Sequence, residues 1–456
     1  MFICSYHFMV SPLSLIFNRS ISRASVVLRR TMVPKHTRNY QDAIEALNNL
    51  QTNAQYLKNA VIKPKAGTNI PEITKFLKRT GVLIEKLDKL SVIHVAGTNG
   101  KGTTCAYCES ILRNHGYKTG FYSSPHLLDV RERIRIDGKP ISKIEFASHF
   151  WRIYDMLDAQ KTDPADMPLY FRYLTIMAFH IFIEHSVDVA IVEVGIGGEY
   201  DCTNVIRNTV VAGITPLDLD HTPLLGHSIE SIAWNKSGIM KEGSIAFTAE
   251  QSDRAMKVLL ERSLEKHDIL YVLINRRYVL DVINNKNKSR REFSLEIAKK
   301  SIEETHWPGR YEIKQLRNIR FFLDGAHTIE SMIVCANWFK EKTINSNREK
   351  ALIFNLTGDR NPDVFFKELC KLAFDIVIFT PNVGSENDTA EYKIKWLEIE
   401  DDGRKAADIQ IFPSVSKAIN FLDNGNEYDV LITGSIHLIG SALSVLDPTL
   451  GGALSG

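Results

Sequence analysis

The sequence predicts an α/β fold in two units: a P-loop ATPase domain on a mostly parallel sheet, and a smaller Rossmann-like α/β domain at the C-terminal end. Three observations lead there. Residues 91–96 (SVIHVA) form a β-branched run that enters a glycine-rich loop, and residues 104–114 behind it have helical character; strand, glycine loop and helix is the order a phosphate loop needs. Residues 187–194 (VDVAIVEV) and 209–215 (TVVAGIT) are apolar without polar alternation, as parallel strands covered on both faces require. After a polar, basic stretch at 275–291, short apolar runs recur at 320–323, 351–355, 375–379, 409–412 and 429–432, with helical segments between several of them.

Taken in order, the first 41 residues carry six Arg and Lys residues and many serines, and no acidic residue precedes Asp42. That composition predicts a mitochondrial transit peptide over 1–39 rather than a secretory signal, with a disordered basic tail as the alternative. Met32 offers a second start and hence a cytosolic form. In the next stretch Ile44, Leu47, Leu50, Ala54 and Leu57 recur three or four apart, which predicts a packing helix over 40–57. A further helix is expected over 170–185, and one over 228–241 ending at Ser237-Gly238. The first domain is placed at 40–305 and the second at 306–456.

The 456 residues, 44% apolar and 24% charged, suffice for two or three cored domains. A net charge of +2 gives no electrostatic footprint for nucleic acid. No apolar run reaches the ~18 residues of a membrane span, so no membrane insertion is expected. Six scattered cysteines point to a reducing compartment. The Cys105–Cys108 pair lacks a second pair to complete a zinc site, so helix packing is expected of it.

Chemistry concentrates in a few places. In VAGTNGKGTT, residues 95–104, Gly97, Gly100 and Gly102 free the backbone to wrap an anion, Lys101 adds a mobile cation, and Thr103 or Thr104 offers a hydroxyl to a metal. The stretch departs from the usual pattern: Val95 stands where the first glycine belongs, and Gly102 follows the lysine. Glu193 ends an apolar run at the sheet edge where α/β proteins bind ligands; it is either a metal-holding carboxylate or an edge carboxylate paired with a cation. The glycines at 195, 197 and 198 are no dinucleotide fingerprint, because Tyr200 stands where the third glycine should be. His221, in LDLDHTPLLG, is an ordinary loop histidine by itself and a candidate metal ligand beside Glu193. Spacing alone reads Lys236 as a cation complementing a helix dipole.

These stretches, together with residues 122–138 (YSSPHLLDVRERIRIDG), 193–204 (EVGIGGEYDCTN), 306–310 (HWPGR), 323–327 (LDGAH) and 431–440 (LITGSIHLIG), stand in the order found in folylpolyglutamate synthases. The likeness runs from about 40 to 448 and is strongest to the eukaryotic members; the bacterial cell-wall amino-acid ligases share the short loop. The resemblance implies an ATP-dependent ligase that adds L-glutamate to the γ-carboxyl of a reduced folate through an acyl phosphate. It implies that Gly100, Lys101, Gly102 and Thr103 cradle phosphates, with Gly97 shaping the loop. Ser124 and Glu193 would hold a first Mg2+, and His221 a second. Lys236 matches a lysine that becomes carbamylated, and Arg133 lies in a loop that closes over substrate. Arg310 and Asp324 would reach ATP from the second domain, His327 would lie near the catalytic face, and Ser435 would help bind glutamate. A monovalent cation such as K+ is the family's usual activator, and a monomer is expected. The chain departs from the family at 275–305: the His-Gln pair and alanine-rich helix are missing, and only a remnant helix over 292–303 is expected. A weakened folate- or nucleotide-binding homologue is therefore the rival reading, and a bifunctional enzyme that also takes dihydropteroate is a third.

Overall fold

The computed structural model describes residues 38–50, 67–272, 292–356, 360–381, 389–399 and 407–448. The leader with Met32, the second half of the helix expected over 40–57, and the stretch 275–291 lie outside the described residues.

Among the described residues the first sheet has eight strands: β1 (Val92–Ala96), β2 (Thr119–Tyr122), β3 (Ile134–Ile136), β4 (Lys139–Pro140), β5 (Val189–Glu193), β6 (Val211–Ile214), β7 (Ile245–Thr248) and β8 (Ile269–Val272). Their order is β4-β3-β2-β5-β1-β6-β7-β8. All pairings are parallel except β2 with β3 and β3 with β4, which form an antiparallel margin. Every residue of β1 and β5 is buried, and the two faces explain the missing alternation. Ile93, Val95, Val189 and Ile191 pack toward helix Lys101–Asn114, whereas Val92, Ala190 and Val192 join the cluster built on helices Lys143–Asp158 and Tyr170–Glu184. Each of these Val and Ile side chains contributes about 1.5–3 kcal/mol on burial.

The second sheet comprises β9 (Glu312–Leu316), β10 (Ile319–Asp324), β11 (Glu349–Phe354), β12 (Ile376–Phe379), β13 (Asp408–Ile411) and β14 (Tyr428–Thr433), in the order β13-β12-β11-β14-β10-β9. Only β9 runs antiparallel to its neighbour. Helices cover both faces, Ile329–Thr343, Asp363–Leu369 and Thr389–Ile399 on one and Val415–Leu422 and Ile436–Leu446 on the other. This is the doubly wound arrangement that the recurring apolar runs predicted.

Boundaries shift where caps decide them. The first helix ends at Asn49, with Leu50 extended behind it. The loop helix starts at Lys101 rather than Thr104, because Gly100 adopts φ +83° and turns the chain directly into the helix. The remnant helix lies at Leu295–Glu304 and packs on the loop helix: Ser110 donates to the Ser301 carbonyl at 3.1 Å and Asn114 to the Ser301 hydroxyl at 2.9 Å. Cys105 and Cys108 are free thiols on the loop helix, Cys105 fully buried, as packing residues should be.

Candidate active site

A cleft of about 1350 Å³ opens where the C-terminal edges of both sheets meet, above the range of a single drug-sized pocket. Gly97, Gly100, Lys101, Gly102, Thr103, Ser124, Arg133, Glu193, His221 and Lys236 line it from the first unit; Arg310, Asp324 and His327 line it from the second.

The glycine loop leaves the end of β1 at a topological switch, since β5 and β6 flank β1 on opposite sides. Gly97 has φ +148°, and a Cβ there would lie 1.8 Å from Thr215 Oγ1, so no side chain fits. Thr98 and Asn99 donate their N–H groups to the Pro216 carbonyl at 3.1 and 3.2 Å, which ties the loop to the strand beside it. The first turn of the loop helix carries no acidic residue, leaving its positive end open to an anion. Lys101 Nζ is folded back onto the carbonyls of Gly97 and Thr98, at 3.1 and 3.3 Å. Replacing Gly97 with Ala is therefore expected to weaken ADP binding at least tenfold, about 1.4 kcal/mol, as isothermal titration would read.

Glu193 stands beside this loop, 5% exposed. Its Oε2 accepts the Ser124 N–H at 3.0 Å. Burial raises its pKa, while Lys101, the Ser124 N–H, Arg310 and Arg133 counteract. A carboxylate kept in such a place among cations is not a simple edge pair; none of those cations makes a direct ion pair with it.

Lys236 is 3% exposed and donates to the Gly97 carbonyl at 2.7 Å. Its ammonium reaches across to the phosphate loop rather than to its own helix end, so the helix-dipole reading does not hold. Burial, with the nearby Lys101 charge, lowers its pKa to about 7. Behind it, Gly198 lets helix Ile229–Ser237 cross closely: a Cβ there would meet the Asn235 carbonyl at 2.6 Å. The glycines that fail as a dinucleotide fingerprint thus include a packing glycine.

His221 takes a left-handed backbone, φ 51°, with Nε2 3.5 Å from Asp220 Oδ2. Burial lowers its pKa, which leaves a neutral ring. Asp220, unremarked in the sequence, ties the units together: Arg360 donates to its Oδ1 at 2.9 Å and His327 Nε2 lies 4.0 Å from its Oδ2. Burial alone would raise its pKa; His221, Arg360 and His327 hold it below the ordinary value. Only the second Asp of LDLDHT hinted at it.

From the second unit, Asp324 ends β10 buried, accepting the Tyr311 N–H at 3.0 Å, and burial raises its pKa against the Arg310 charge. A Cβ on Gly325 would lie 2.3 Å from the Arg310 guanidinium, so that glycine lets the arginine lie across it. His327 donates Nδ1–H to the Gly325 carbonyl at 2.9 Å, with the tautomer fixed by that bond, and burial lowers its pKa to about 4. Other bridges escape sequence reading. Asn99 donates to Thr328 Oγ1 at 3.1 Å, and Trp307 covers the Gly102 backbone. The neighbouring Asp218 carboxyl, with burial, pushes Glu330 up to about 7. Ser435 sits apart from this wall: it is buried and caps helix Ile436–Leu446, accepting the His437 N–H at 3.2 Å.

Fold and cleft define a two-lobed nucleotide-binding α/β enzyme. No family model matches the chain. The mitochondrial folylpolyglutamate synthase of Bos taurus is 34% identical over 544 aligned residues, covering 90% of this chain and 93% of that protein. The folylpolyglutamate synthase of Neurospora crassa is 35% identical, covering 96% and 97%. Among solved structures, E. coli FolC in complex with DHPP and ADP superposes with a TM-score of 0.73 at 25% identity, over 92% of this chain and 100% of that one. The chain belongs to the folylpolyglutamate synthase family. The alignment with the bovine protein is longer than the 456 residues here, so that protein carries stretches without a counterpart in this chain.

Proposed function

We propose that this enzyme uses ATP to join L-glutamate to the γ-carboxyl of a reduced folate, extending a poly-γ-glutamyl tail. The observation that carries the reading is the convergence of the Lys101 loop, Glu193, His221 and Lys236 on one cleft that Arg310, Asp324 and His327 close from the other unit. Family membership favours it over the binding-protein alternative.

A carboxylate repels nucleophiles, so it must first be activated. A folate γ-carboxylate oxygen attacks the γ-phosphorus, ADP leaves, and an acyl phosphate forms. The neutral amine of glutamate then attacks the acyl carbon, and the C–O bond to phosphate breaks. The protein's part is positioning and charge neutralisation. Lys101, released from its loop carbonyls, and the loop N–H groups face the β and γ phosphates. Arg310 approaches from the second unit. His327, with Nδ1–H spent on Gly325, keeps an unprotonated Nε2 that can accept a hydrogen bond from an N–H of the incoming amine, and the departing phosphate takes up the amine's proton.

Mg2+ fits the residues present. Glu193 supplies a buried carboxylate and Ser124 a hydroxyl, with His221 as a neutral donor for a second ion. Among the described residues no group of three or more His, Cys, Asp or Glu is arranged to hold a metal ion, so phosphate oxygens and water would have to complete the shell. Bound there, it supplies neutralisation of phosphate charge. K+ or another monovalent cation belongs to the proposal as an activator.

With its pKa near 7, the Lys236 amine is available to react with CO2, giving the carbamate the resemblance implies. The sign is definite. Its folded pKa lies below the unfolded 10.5, so the burial cost applies in full below about pH 7 and is relieved as pH rises toward 10.5. Turnover is expected to fall as pH drops below about 7, and bicarbonate to raise it most on the alkaline side. A carbamate carbon resonance from labelled bicarbonate, absent in Lys236→Arg, checks it.

The proposal extends to organisation: a leader over 1–39, an ATP- and folate-binding domain over 40–305 and a ligase domain over 306–456, acting as a monomer. Mitochondrial location is supported by the basic leader and by the mitochondrial relatives, and a cytosolic form would start at Met32. Among the described residues no helix is long and apolar enough to cross a membrane. Incubation with Mg-ATP, tetrahydrofolate and labelled glutamate tests the whole reading; tail extension supports it, and nucleotide binding without extension favours the binding protein.

A further inference from the structure

The segment between Ser124 and Arg133 is organised by one side chain that neither motif nor family likeness singled out. The Glu132 carboxylate accepts three successive backbone N–H groups: Leu127 at 2.8 Å, Leu128 at 2.9 Å and Asp129 at 2.8 Å. Three charge-assisted bonds to one carboxylate fix the course of the chain far more firmly than a cap alone would. What they fix is an insertion. Leu127 belongs to the first unit by sequence, yet packs against the apolar cluster of the second that contains Leu438, Ile439 and Leu443. Its carbonyl oxygen would lie 2.4 Å from a Cβ on Gly440, so the segment seats there only because that helix position is glycine. Its methyls lie 3.5–3.6 Å from a Cβ built on Gly309, in the turn just before Arg310.

We propose that Glu132 is a positioning residue that holds residues 127–129 as a catch between the two units, with Leu127 as its tooth and Gly440 as its seat. The catch communicates with the chemistry at both ends. At one end the Ser124 N–H is bonded to Glu193 Oε2 at 3.0 Å. At the other, Arg133 donates Nε–H to His126 Nδ1 at 2.9 Å and lies buried on the cleft wall. Seating Leu127 therefore sets Arg310, beyond the Gly309 turn, and Glu193 in register across the cleft. Glu132 touches no reacting atom in this scheme; it acts through the backbone it holds.

The proposal rests on the ligase reading, and its test keeps the two apart. Glu132→Gln offers one acceptor oxygen instead of two and places an NH2 against an N–H donor. It is expected to lower kcat about tenfold while leaving ADP affinity within about twofold, as loss of the seated arrangement requires. Gly440→Ala should behave alike from the opposite side of the seat, and Leu127→Ala likewise, with Leu127→Met recovering most of the loss. Small-angle scattering supplies a readout independent of ligation: wild type should match the compact arrangement in which Leu127 sits on Gly440, and Gly440→Ala should show a larger radius of gyration. Wild-type kcat in Glu132→Gln or Gly440→Ala, or losses that merely track melting temperature, would overturn the catch. A compact wild type and an expanded Gly440→Ala, without any γ-glutamyl product from wild type, would leave the catch standing and remove the ligase reading.

Discussion

Lys101→Ala is expected to lower kcat/KM about a thousandfold and leave the fold intact, the scale of removing a preorganised charge from a phosphoryl-transfer site. Nothing in the core depends on this side chain: its Nζ bonds only to two loop carbonyls, Gly97 and Thr98. Its charge also helps hold the Lys236 pKa down, second only to burial, so the substitution should let that pKa rise from about 7. The acid limb of the pH–rate profile then moves to higher pH along with the loss of rate. A variant with wild-type turnover and an unmoved profile would remove Lys101 from the site.

Glu193→Gln has a second, opposite pair of effects. The amide is nearly isosteric and its oxygen still accepts the Ser124 N–H, but the charge that Mg2+ would meet is gone. Turnover should fall about a hundredfold or more, and the Mg2+ concentration for half activity should rise. Stability should not fall: burial already disfavours the charged form, as the raised pKa states, and a neutral group relieves that cost. An unchanged or higher Tm beside lost turnover is the pattern of a residue kept for chemistry. A lower Tm with normal Mg2+ dependence would make it a structural carboxylate.

Much of the architecture was legible because parallel strands buried on both faces have no choice of composition. β1, β5, β6 and β12 fall within runs that the sequence marks as apolar, and β10, β11, β13 and β14 overlap such runs but begin one or two residues ahead of them. The phosphate loop was legible from strand, glycines and helix, despite failing the usual spacing. What escaped has a common cause. Asp220 with Arg360, Asn99 with Thr328, and Leu127 with Gly440 are contacts across long sequence separations. Nothing local distinguishes these residues from ordinary loop, cap or helix residues. Lys236 shows the limit most clearly, since its helix-end position suggested a dipole partner until burial and the Gly97 carbonyl gave it another. Ser435 shows the converse, a motif serine whose hydroxyl caps its own helix.

The central claim is tested most directly by supplying purified full-length protein with Mg-ATP, tetrahydrofolate and labelled glutamate, and counting glutamate incorporated against phosphate released. One γ-glutamyl bond per phosphate, dependent on folate and slowed about a thousandfold in Lys101→Ala, is the expected result. Folded protein that binds nucleotide yet incorporates no glutamate would contradict it.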